Sequence, residues 1–366
     1  MRSAPVMSPV IAADSQAAGY NGREIGVVSR SSRKEKIGMA VVRYAAFTVA
    51  ACILSAALIA ATVELKRAQY QIDINIGGKP FTTYYFDPDV AKPYLMPLRT
   101  ASGDIVTRGF PVKNDVSAGN PKAGSFEPHQ RPLYFGHGDI DGLDFWQEPV
   151  FDKYYSDHGH QAYGHMVLKS IEESRGQQET ATIRARFTLD DPGNRVIGEE
   201  TQSFSFRGDA QTRVIDCVFI LYATAGPLDM GDTKEGTFGI RLAPELSAPL
   251  GHMVNSDGAE GEKAIWGKPA EWVDYSGTIS GRQVGVAILD HPKSFRHPTT
   301  WHARAYGLFA ANPFGLREFS RDASKDGAWT IPEGKSLTFR YRVLIHEGDF
   351  SPARIKDEYQ RYAAEN

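Results

Sequence analysis

Apolar and polar residues alternate with a period of two along most of the chain after residue 70. The longest alternating runs are 72–76, 183–187, 204–206 and 337–345. This period is typical of β-strands that bury one face, and clusters of Gly, Pro and Asp separate the runs as turns would. Many short strands with few helical patterns predict an all-β fold, a large antiparallel β-sandwich.

Further patterns complete the predicted domain. Residues 284–289 and 301–309 are predicted to be strands on either side of a histidine-rich turn. An apolar stripe at helical spacing over 352–364 predicts a short closing helix. No fixed repeat or linker divides 68–366, so we predict that this whole segment is a single β-sandwich domain.

The N-terminal region differs from this domain in composition. Residues 1–38 are rich in Ser, Ala, Gly and charge, which predicts a disordered basic segment. Residues 45–63 form one uncharged apolar run, long enough for a single membrane helix. Because basic residues precede this run, segment 39–67 is predicted to be a signal anchor or a cleaved signal peptide, with Met39 as an alternative start. The domain would then face the periplasm from the inner membrane or be secreted.

Charge and composition narrow the possible partners. The formal net charge is −3 with both signs interspersed, and the sequence shows no basic arm or stripe, so no nucleic-acid partner is predicted. Aromatic residues make up 11% of the chain, which suits a β-rich core or a sugar-binding surface. The sequence has no phosphate-binding loop, nucleophile elbow or dinucleotide fingerprint, and the cofactor stays unknown.

A first polar cluster lies between residues 129 and 146. His137 stands between two glycines, which allow the backbone to turn tightly beside a ligand. Asp139, Asp141 and Asp144 offer oxygen ligands for calcium, or they form ordinary turns. The candidate catalytic residue of this cluster is His137, and the candidate substrate-binding residues are His129, Arg131 and Trp146.

A second polar cluster lies between residues 290 and 304. Histidine exchanges protons near neutral pH, and arginine offers a planar fork for a carboxylate or a phosphate. His302, Arg304 and Tyr306 would share one face of a strand, and such a face is poor material for a buried core. The candidate catalytic residues here are His291, His297 and His302, and the candidate binding residues are Arg296, Trp301 and Arg304.

Three further positions complete the candidate set. His165 begins an alternating strand and is predicted to face a pocket. Glu235 is the glutamate that we nominate as a general acid or base, and Arg241 follows it as a substrate-binding residue. His158 and His160 either chelate a transition metal or belong to a polar loop, so the metal stays unknown.

The order of these clusters resembles an uncharacterised bacterial family commonly labelled methane oxygenase PmoA, over nearly all of residues 70–350. The first cluster departs from the family pattern, because Glu127 and Gln130 stand where that family has histidines. If those histidines act in catalysis, this member is altered or inactive. The matching blocks include Lys92-Pro93-Tyr94, Phe135-Gly136-His137-Gly138-Asp139, Lys234-Glu235-Gly236-Thr237-Phe238, Asp290-His291-Pro292 and Trp301-His302.

Three functions compete at this point. The resemblance implies a sandwich of the kind seen in sugar mutarotases and polysaccharide-active proteins. The polar clusters, the aromatic residues and the predicted export favour a carbohydrate-active hydrolase, lyase or epimerase, in which one histidine or Glu235 acts as acid or base. Arginines would hold an acidic group or hydroxyls, and Trp146 or Trp301 would stack on the ring of a small-molecule or glycan ligand. A non-catalytic sugar-binding or envelope module and a metal-dependent oxygenase are the alternatives.

Overall fold

The strand periodicity of the sequence is realised in two large antiparallel sheets. The computed structural model describes residues 60–109, 127–149, 162–173, 179–348 and 350–365, all within one compact unit. Over these ranges the chain forms 18 strands and three α-helices, and two of its sheets have eight strands each. These two sheets pack against each other, so the prediction of an all-β sandwich is confirmed.

The first sheet is formed by strands from both the N-terminal and the C-terminal parts of the described chain. Its strands are β1 (Val63–Arg67), β2 (Gln71–Ile76), β3 (Lys79–Tyr85), β4 (Tyr94–Met96), β5 (Leu133–His137), β11 (Gly236–Arg241), β15 (Trp301–Ala303) and β16 (Leu308–Ala311). They lie in the order β1-β2-β3-β4-β5-β11-β16-β15. Strand β11 therefore enters between two strands that are distant from it in sequence.

The second sheet is built mainly from long hairpins in the middle of the chain. Its strands are β6 (His165–Glu173), β7 (Ala181–Asp190), β8 (Val196–Gly208), β9 (Thr212–Tyr222), β12 (His252–Asn255), β13 (Trp272–Ile279), β14 (Arg282–Asp290) and β18 (Ser336–Glu347). They lie in the order β12-β13-β14-β18-β9-β8-β7-β6. Two short strands, β10 (Leu228–Met230) and β17 (Trp329–Ile331), form a separate ribbon.

Aromatic side chains from both sheets meet in the core. Phe135 of β5 stacks on Phe219 of β9 with 4.3 Å between ring centroids, and Phe238 of β11 stacks on Tyr341 of β18 at 4.9 Å. Burying such rings contributes about 1.5–3 kcal/mol each. Successive residues of a strand point to opposite faces of the sheet. The residues directly before and after these aromatic residues in sequence therefore point to the outer face of each sheet.

The predicted closing helix is present and covers the second sheet. The helices are α1 (Glu262–Ile265), α2 (Leu316–Ser320) and α3 (Pro352–Ala363). Ile355, Tyr359 and Tyr362 of α3 pack with buried apolar residues of β14 and β18, including Leu289 and Leu344. The spacing of these three residues places them on one side of the helix, so the helix buries its apolar stripe on the sheet.

The predicted strand 301–309 is wrong, because the chain folds there as a tight hairpin. Strand β15 ends at Ala303 and β16 begins at Leu308. The amide of Gly307 donates to the carbonyl of Arg304 at 2.9 Å, and Gly307 has a φ of 94°, a conformation that glycine adopts without strain. Arg304 and Tyr306 therefore lie in the turn instead of sharing a strand face with His302.

The predicted N-terminal segment overlaps the first strand. Residues 1–59, with the predicted disordered region and most of the apolar run, lie outside the described residues. Val63–Arg67, which our prediction placed in segment 39–67, pair with β2 as an edge strand of the first sheet. The sandwich thus begins before residue 68.

Within the described ranges, no helix combines the length and the apolar character that crossing a membrane requires.

Candidate active site on the outer face of the first sheet

A set of aromatic and charged side chains covers the outer face of the first sheet around β4, β5 and β11. Tyr94, Tyr134 and Trp146 form an apolar cluster there, separate from the inter-sheet core, with Tyr306 packed beside it. We call this surface the outer-face site. Its members are Lys92, Tyr94, Arg108, His129, Gln130, Arg131, Tyr134, Trp146, Glu148, Glu235, Arg241, Arg304 and Tyr306.

A glycine of β11 lets the aromatic rings lie close to the strand. A Cβ atom at Gly239 would come within 3.0 Å of Trp146 Cη2 and 3.1 Å of Tyr134 Cζ. The rings of Trp146 and Tyr134 themselves lie 4.7 Å apart. A larger residue at 239 would require both rings to shift by a few tenths of an ångström, so glycine allows their close approach to the strand.

A buried ion trio stands at one side of this floor. Glu148 accepts two hydrogen bonds from Arg131, at 2.8 and 2.5 Å, and one from Lys92 Nζ at 3.0 Å. Burial opposes ionisation of Glu148, but Lys92 and Arg131 together hold the pKa of its carboxyl below the ordinary value. Glu148 therefore stays ionised, and the trio orients Arg131 over the ring of Tyr94, 4.7 Å away.

Two guanidinium groups meet at the opposite side of the floor. Arg108 donates to the carbonyls of Glu127 and Gln130 at 2.6 and 2.9 Å, and Arg241 donates to the side-chain oxygen of Gln130. Burial, and then the charge of Arg241, lower the pKa of Arg108 to about 9. Positive charge is thus concentrated beside the aromatic floor, which favours an anionic or strongly polar ligand group.

The turn between β15 and β16 adds a second cationic layer. Arg241 lies 4.5 Å from the ring centroid of Tyr306, and Arg304 lies 5.4 Å from the same ring. Glu262 fixes the turn, because its carboxylate pairs with Arg304 at 3.2 Å and accepts a hydrogen bond from the Ala305 amide at 2.6 Å. The β15–β16 hairpin, which replaces the predicted strand 301–309, therefore places Arg304 and Arg241 against the same tyrosine ring.

Glu235 is the carboxylate of this site whose pKa is poised near neutrality. Its side chain is 19% exposed and lies 3.5 Å from Lys234 Nζ. Burial raises its pKa to about 7, the positive charge of Lys234 opposes the rise, and the charge of Glu127 adds to it. A carboxyl with this pKa exchanges protons efficiently at physiological pH.

Two buried polar atoms of the floor lack hydrogen-bond partners in the part of the chain that the structure describes. They are the hydroxyl of Tyr134 and Nε1 of Trp146. Burial, and next the charge of Glu235, raise the pKa of Tyr134 well above its ordinary value, so its hydroxyl keeps its proton. An unpaired buried donor costs about 1–3 kcal/mol, so each of these two groups would gain from a polar partner.

The structure brings together about half of the predicted site residues. His129 is buried, with Nδ1 3.6 Å from Glu127 and its ring 6.4 Å from that of Trp146. The predicted site residues that share this outer face are His129, Arg131, Trp146, Glu235, Arg241, Arg304 and His302, the last of which pairs with Ala310 in the strand register.

Two predicted catalytic histidines lie next to the outer-face site and support its backbone. His137 Nε2 lies 2.8 Å from the carbonyl of Gly231, and His302 Nδ1 lies 2.9 Å from the carbonyl of Lys234. Burial lowers the pKa of His137 to about 4 and that of His302 to about 3. Both rings are therefore neutral, with a nitrogen committed to a backbone carbonyl.

His291 and His297, also predicted to be catalytic, lie at the C-terminal helix instead. His291 Nε2 contacts the carbonyl of Glu365 at 3.2 Å. His297 Nδ1 contacts the buried carboxylate of Asp290 at 2.9 Å, and its Nε2 lies 3.3 Å from the hydroxyl of Tyr359. These contacts join α3 to the end of β14 rather than lining the outer-face site.

The remaining predicted residues also lie elsewhere. Trp301 is fully buried in the inter-sheet core and donates to the carbonyl of Ala270 at 3.0 Å. Arg296 stacks on Phe295 and donates to backbone carbonyls, including that of Pro313 at 2.9 Å. His165 is a half-buried residue at the start of β6, in the edge strand of the second sheet.

The acidic residues of the first cluster make turns. Asp139 Oδ1 accepts from the Gly142 amide at 3.0 Å, and Asp144 Oδ1 accepts from the Trp146 amide at 2.7 Å. Among the described residues no group of three or more His, Cys, Asp or Glu side chains is arranged to hold a metal ion. His158 and His160 lie outside the described residues.

Sequence reasoning missed the residues that complete the site. Lys92, Tyr94 and Tyr134 were not nominated, and neither was Glu148, although two of them lie in the block Lys92-Pro93-Tyr94 that carried the family resemblance. Their role depends on which strands become neighbours in the sheet. Glu148 lies in no recognisable motif, so no local signal distinguishes it from a surface glutamate.

Fold and site together define a class: a two-sheet β-sandwich protein with a buried, cation-rich aromatic site on one outer face. Residues 71–360 match the model of the family described as "Family of unknown function (DUF6807)", and the chain belongs to that family. The identification with the family labelled methane oxygenase PmoA is therefore wrong, because the matching model assigns no such label.

Comparison with curated proteins finds no match. Among solved structures, a galactose mutarotase-like protein from Clostridium acetobutylicum is 11% identical over 78% of this chain and 98% of that one, with a TM-score of 0.40. The α-galactosidases of Lactobacillus brevis and Geobacillus stearothermophilus are 8% and 10% identical, with TM-scores of 0.34 and 0.36. The alignments cover 77% and 78% of this chain but 39% and 41% of the galactosidases.

Proposed function

We propose that this protein is an exported carbohydrate-active enzyme that moves a proton with Glu235 on a sugar bearing an acidic group. The observation that carries this proposal is the pKa of Glu235, raised to about 7 by burial, beside a floor of aromatic rings and guanidinium groups. Perturbed titratable groups in such surroundings are typical of functional sites. The predicted signal segment supports the proposed export.

In this proposal the aromatic rings bind the sugar ring and the guanidinium groups bind its acidic group. The aromatic floor of Tyr134 and Trp146, whose rings are tilted by 50° to each other, is the apolar surface that would face a sugar ring. Arg241 and Arg304, both close to the ring of Tyr306, bring positive charge to this floor, and that charge would attract the acidic group of the sugar. Glu148 is held ionised by Lys92 and Arg131, so its role here is to orient Arg131 rather than to exchange protons.

Proton transfer would follow from this arrangement. The ionised form of Glu235 takes a proton from the bound sugar, and the negative charge left on the substrate is stabilised by the nearby guanidinium groups. The Tyr134 hydroxyl, which keeps its proton, can donate a hydrogen bond to the developing oxyanion. Delivery of a proton to the opposite face of the same carbon gives an epimerase, and departure of a leaving group from the adjacent carbon, with formation of a double bond, gives a lyase.

The test compares wild type with Glu235→Gln on galacturonate, glucuronate and their oligosaccharides, followed by proton NMR in D2O. We expect the substitution to lower the rate at least about 100-fold, because it removes the proton acceptor. The wild-type rate should rise as the pH passes through about 7, since only ionised Glu235 accepts a proton.

Glu199→Gln is the matched control, because Glu199 lies on the second sheet and pairs with Lys169 and Arg186. It should leave the rate and its pH dependence unchanged. Full activity of Glu235→Gln would contradict the proposal. Sugar binding by both proteins with no turnover by either would favour the non-catalytic sugar-binding module instead.

A further inference from the structure

The segment that carries Glu235 is fixed through its backbone carbonyls. It runs from Gly231 to Glu235, between β10 and β11, and it contains no helix or strand. Four of its five carbonyl oxygens accept hydrogen bonds from outside the segment. These are Gly231 from His137 at 2.8 Å, Thr233 from Asn312 at 2.9 Å, Lys234 from His302 at 2.9 Å and Glu235 from the Gly138 amide at 2.7 Å.

The three side chains of this set come from three separate strands or loops of the first sheet. His137 ends β5, His302 lies in β15, and Asn312 directly follows β16. At most 2% of each residue is exposed. Because a carbonyl oxygen only accepts, the contacting nitrogens must carry hydrogen, so each ring is fixed as the tautomer that points at the segment.

Aromatic neighbours hold the donors in place. The ring of Phe314 lies 4.8 Å from that of His137. His302 has edge contacts with Trp266 at 6.4 Å and with Phe319 at 6.0 Å. These apolar surroundings favour the neutral imidazole, and only a neutral ring fits here without leaving an unpaired charge in the core.

We propose that His137, Asn312 and His302 are positioning residues that hold the segment from Gly231 to Glu235 and thereby set the depth at which the Glu235 carboxylate is buried. This inference rests on the proposed function of Glu235 as the proton acceptor. His137 and His302, which the sequence predicted to be catalytic, would then position Glu235 without contacting the substrate. Asn312, which was not predicted from the sequence, would share this role.

The physical link is desolvation. Burial is the largest cause of the raised pKa of Glu235, and Lys234 opposes it from 3.5 Å away. Loss of one donor would free a carbonyl that must then find water, because buried carbonyls are almost always paired. The segment would then move outward, Glu235 would become hydrated, and its pKa would fall toward the ordinary value of 4.5.

The experiment is a carbon-13 NMR titration of protein labelled at the glutamate side-chain carboxyl, with the Glu235 signal assigned by its loss in Glu235→Gln. Two variants remove a donor without adding a charge that would itself shift the pKa of Glu235: His302→Phe, and Asn312→Leu, which is close to asparagine in size. We expect Glu235 to titrate near 7 in wild type and at least about one pH unit lower in both variants.

His291→Phe is the matched control, since it also removes a ring nitrogen from a backbone carbonyl, that of Glu365. It should leave the Glu235 titration unchanged. Folded variants in which Glu235 still titrates near 7 would overturn the positioning role. A shifted titration together with undiminished activity of Glu235→Gln would keep the positioning role and reject the proposed function, so the two failures are distinguishable.

Discussion

Two glutamates with raised pKa values show how the environment of a residue decides its chemistry in this protein. Glu235 opens to the outer-face site, whereas Glu200 is fully buried in the inter-sheet core. Glu200 accepts a hydrogen bond from Gln202 at 2.7 Å, and Gln202 in turn accepts one from Tyr84 of the first sheet at 2.9 Å. Burial raises the pKa of Glu200 to about 8, although the bond from Gln202 opposes the rise. The carboxyl is therefore neutral at pH 7 and links the two sheets as a polar bridge.

Glu200 should make folding stability depend on pH. Its folded pKa of about 8 exceeds the ordinary 4.5, so the unfolded chain loses this proton first and the stabilisation is lost as the pH rises toward 8. Urea denaturation of wild type and Glu200→Gln checks this. Between about pH 5 and about pH 9 the variant should gain roughly 2–4 kcal/mol relative to wild type. Parallel stability curves for the two proteins would contradict it.

Only some residues of the candidate site could be predicted from the sequence. Arg131, Glu235 and Arg241 were recognised because they lie beside glycines, aromatic residues or other charges in short blocks. Histidine clustering, however, was a poor guide. His291 and His297 are adjacent to the other candidates in sequence, yet their ring nitrogens contact Glu365, Asp290 and Tyr359 at the C-terminal helix.

At the scale of elements, periodicity predicted the strands and the closing helix. It did not predict the turn that separates β15 from β16. The alternating run 337–345 lies inside β18, and the stripe at 352–364 corresponds to α3. The hairpin at Gly307 was missed, because its flanking residues continue an apolar pattern and the turn depends on one glycine conformation. That turn is what brings Arg304 beside Tyr306 and Arg241.

Helix α3 should contribute strongly to stability through its apolar stripe. Ile355 is fully buried against the second sheet. Ile355→Ala removes this contact and leaves a cavity, so we expect the free energy of unfolding to fall by about 2–5 kcal/mol. Thermal and urea denaturation measure the change. Lys356→Ala, at an exposed position of the same helix, should change it by less than about 0.5 kcal/mol, and equal effects of both substitutions would refute this packing.

At the scale of the molecule, the outer-face site arises from strand order. Strand β11 inserts between β5 and β16, so residues near 131, 241 and 306 meet although long stretches of chain separate them. Periodicity identifies strands but not their neighbours, which explains why the sequence suggested two histidine-centred clusters. The structure shows instead one aromatic and cationic floor, with the histidines of β5 and β15 supporting the segment beneath Glu235.

Calorimetric titration with galacturonate tests most directly that this floor is the sugar site. We expect wild type and Arg184→Met to bind equally, because Arg184 is exposed on β7 of the second sheet. Arg241→Met, which removes a guanidinium from the floor, should weaken binding about tenfold or more, since a charged hydrogen bond is worth about 1.5–3 kcal/mol. Unchanged binding by folded Arg241→Met, or a loss of binding in Arg184→Met, would contradict the assignment of the site to this face.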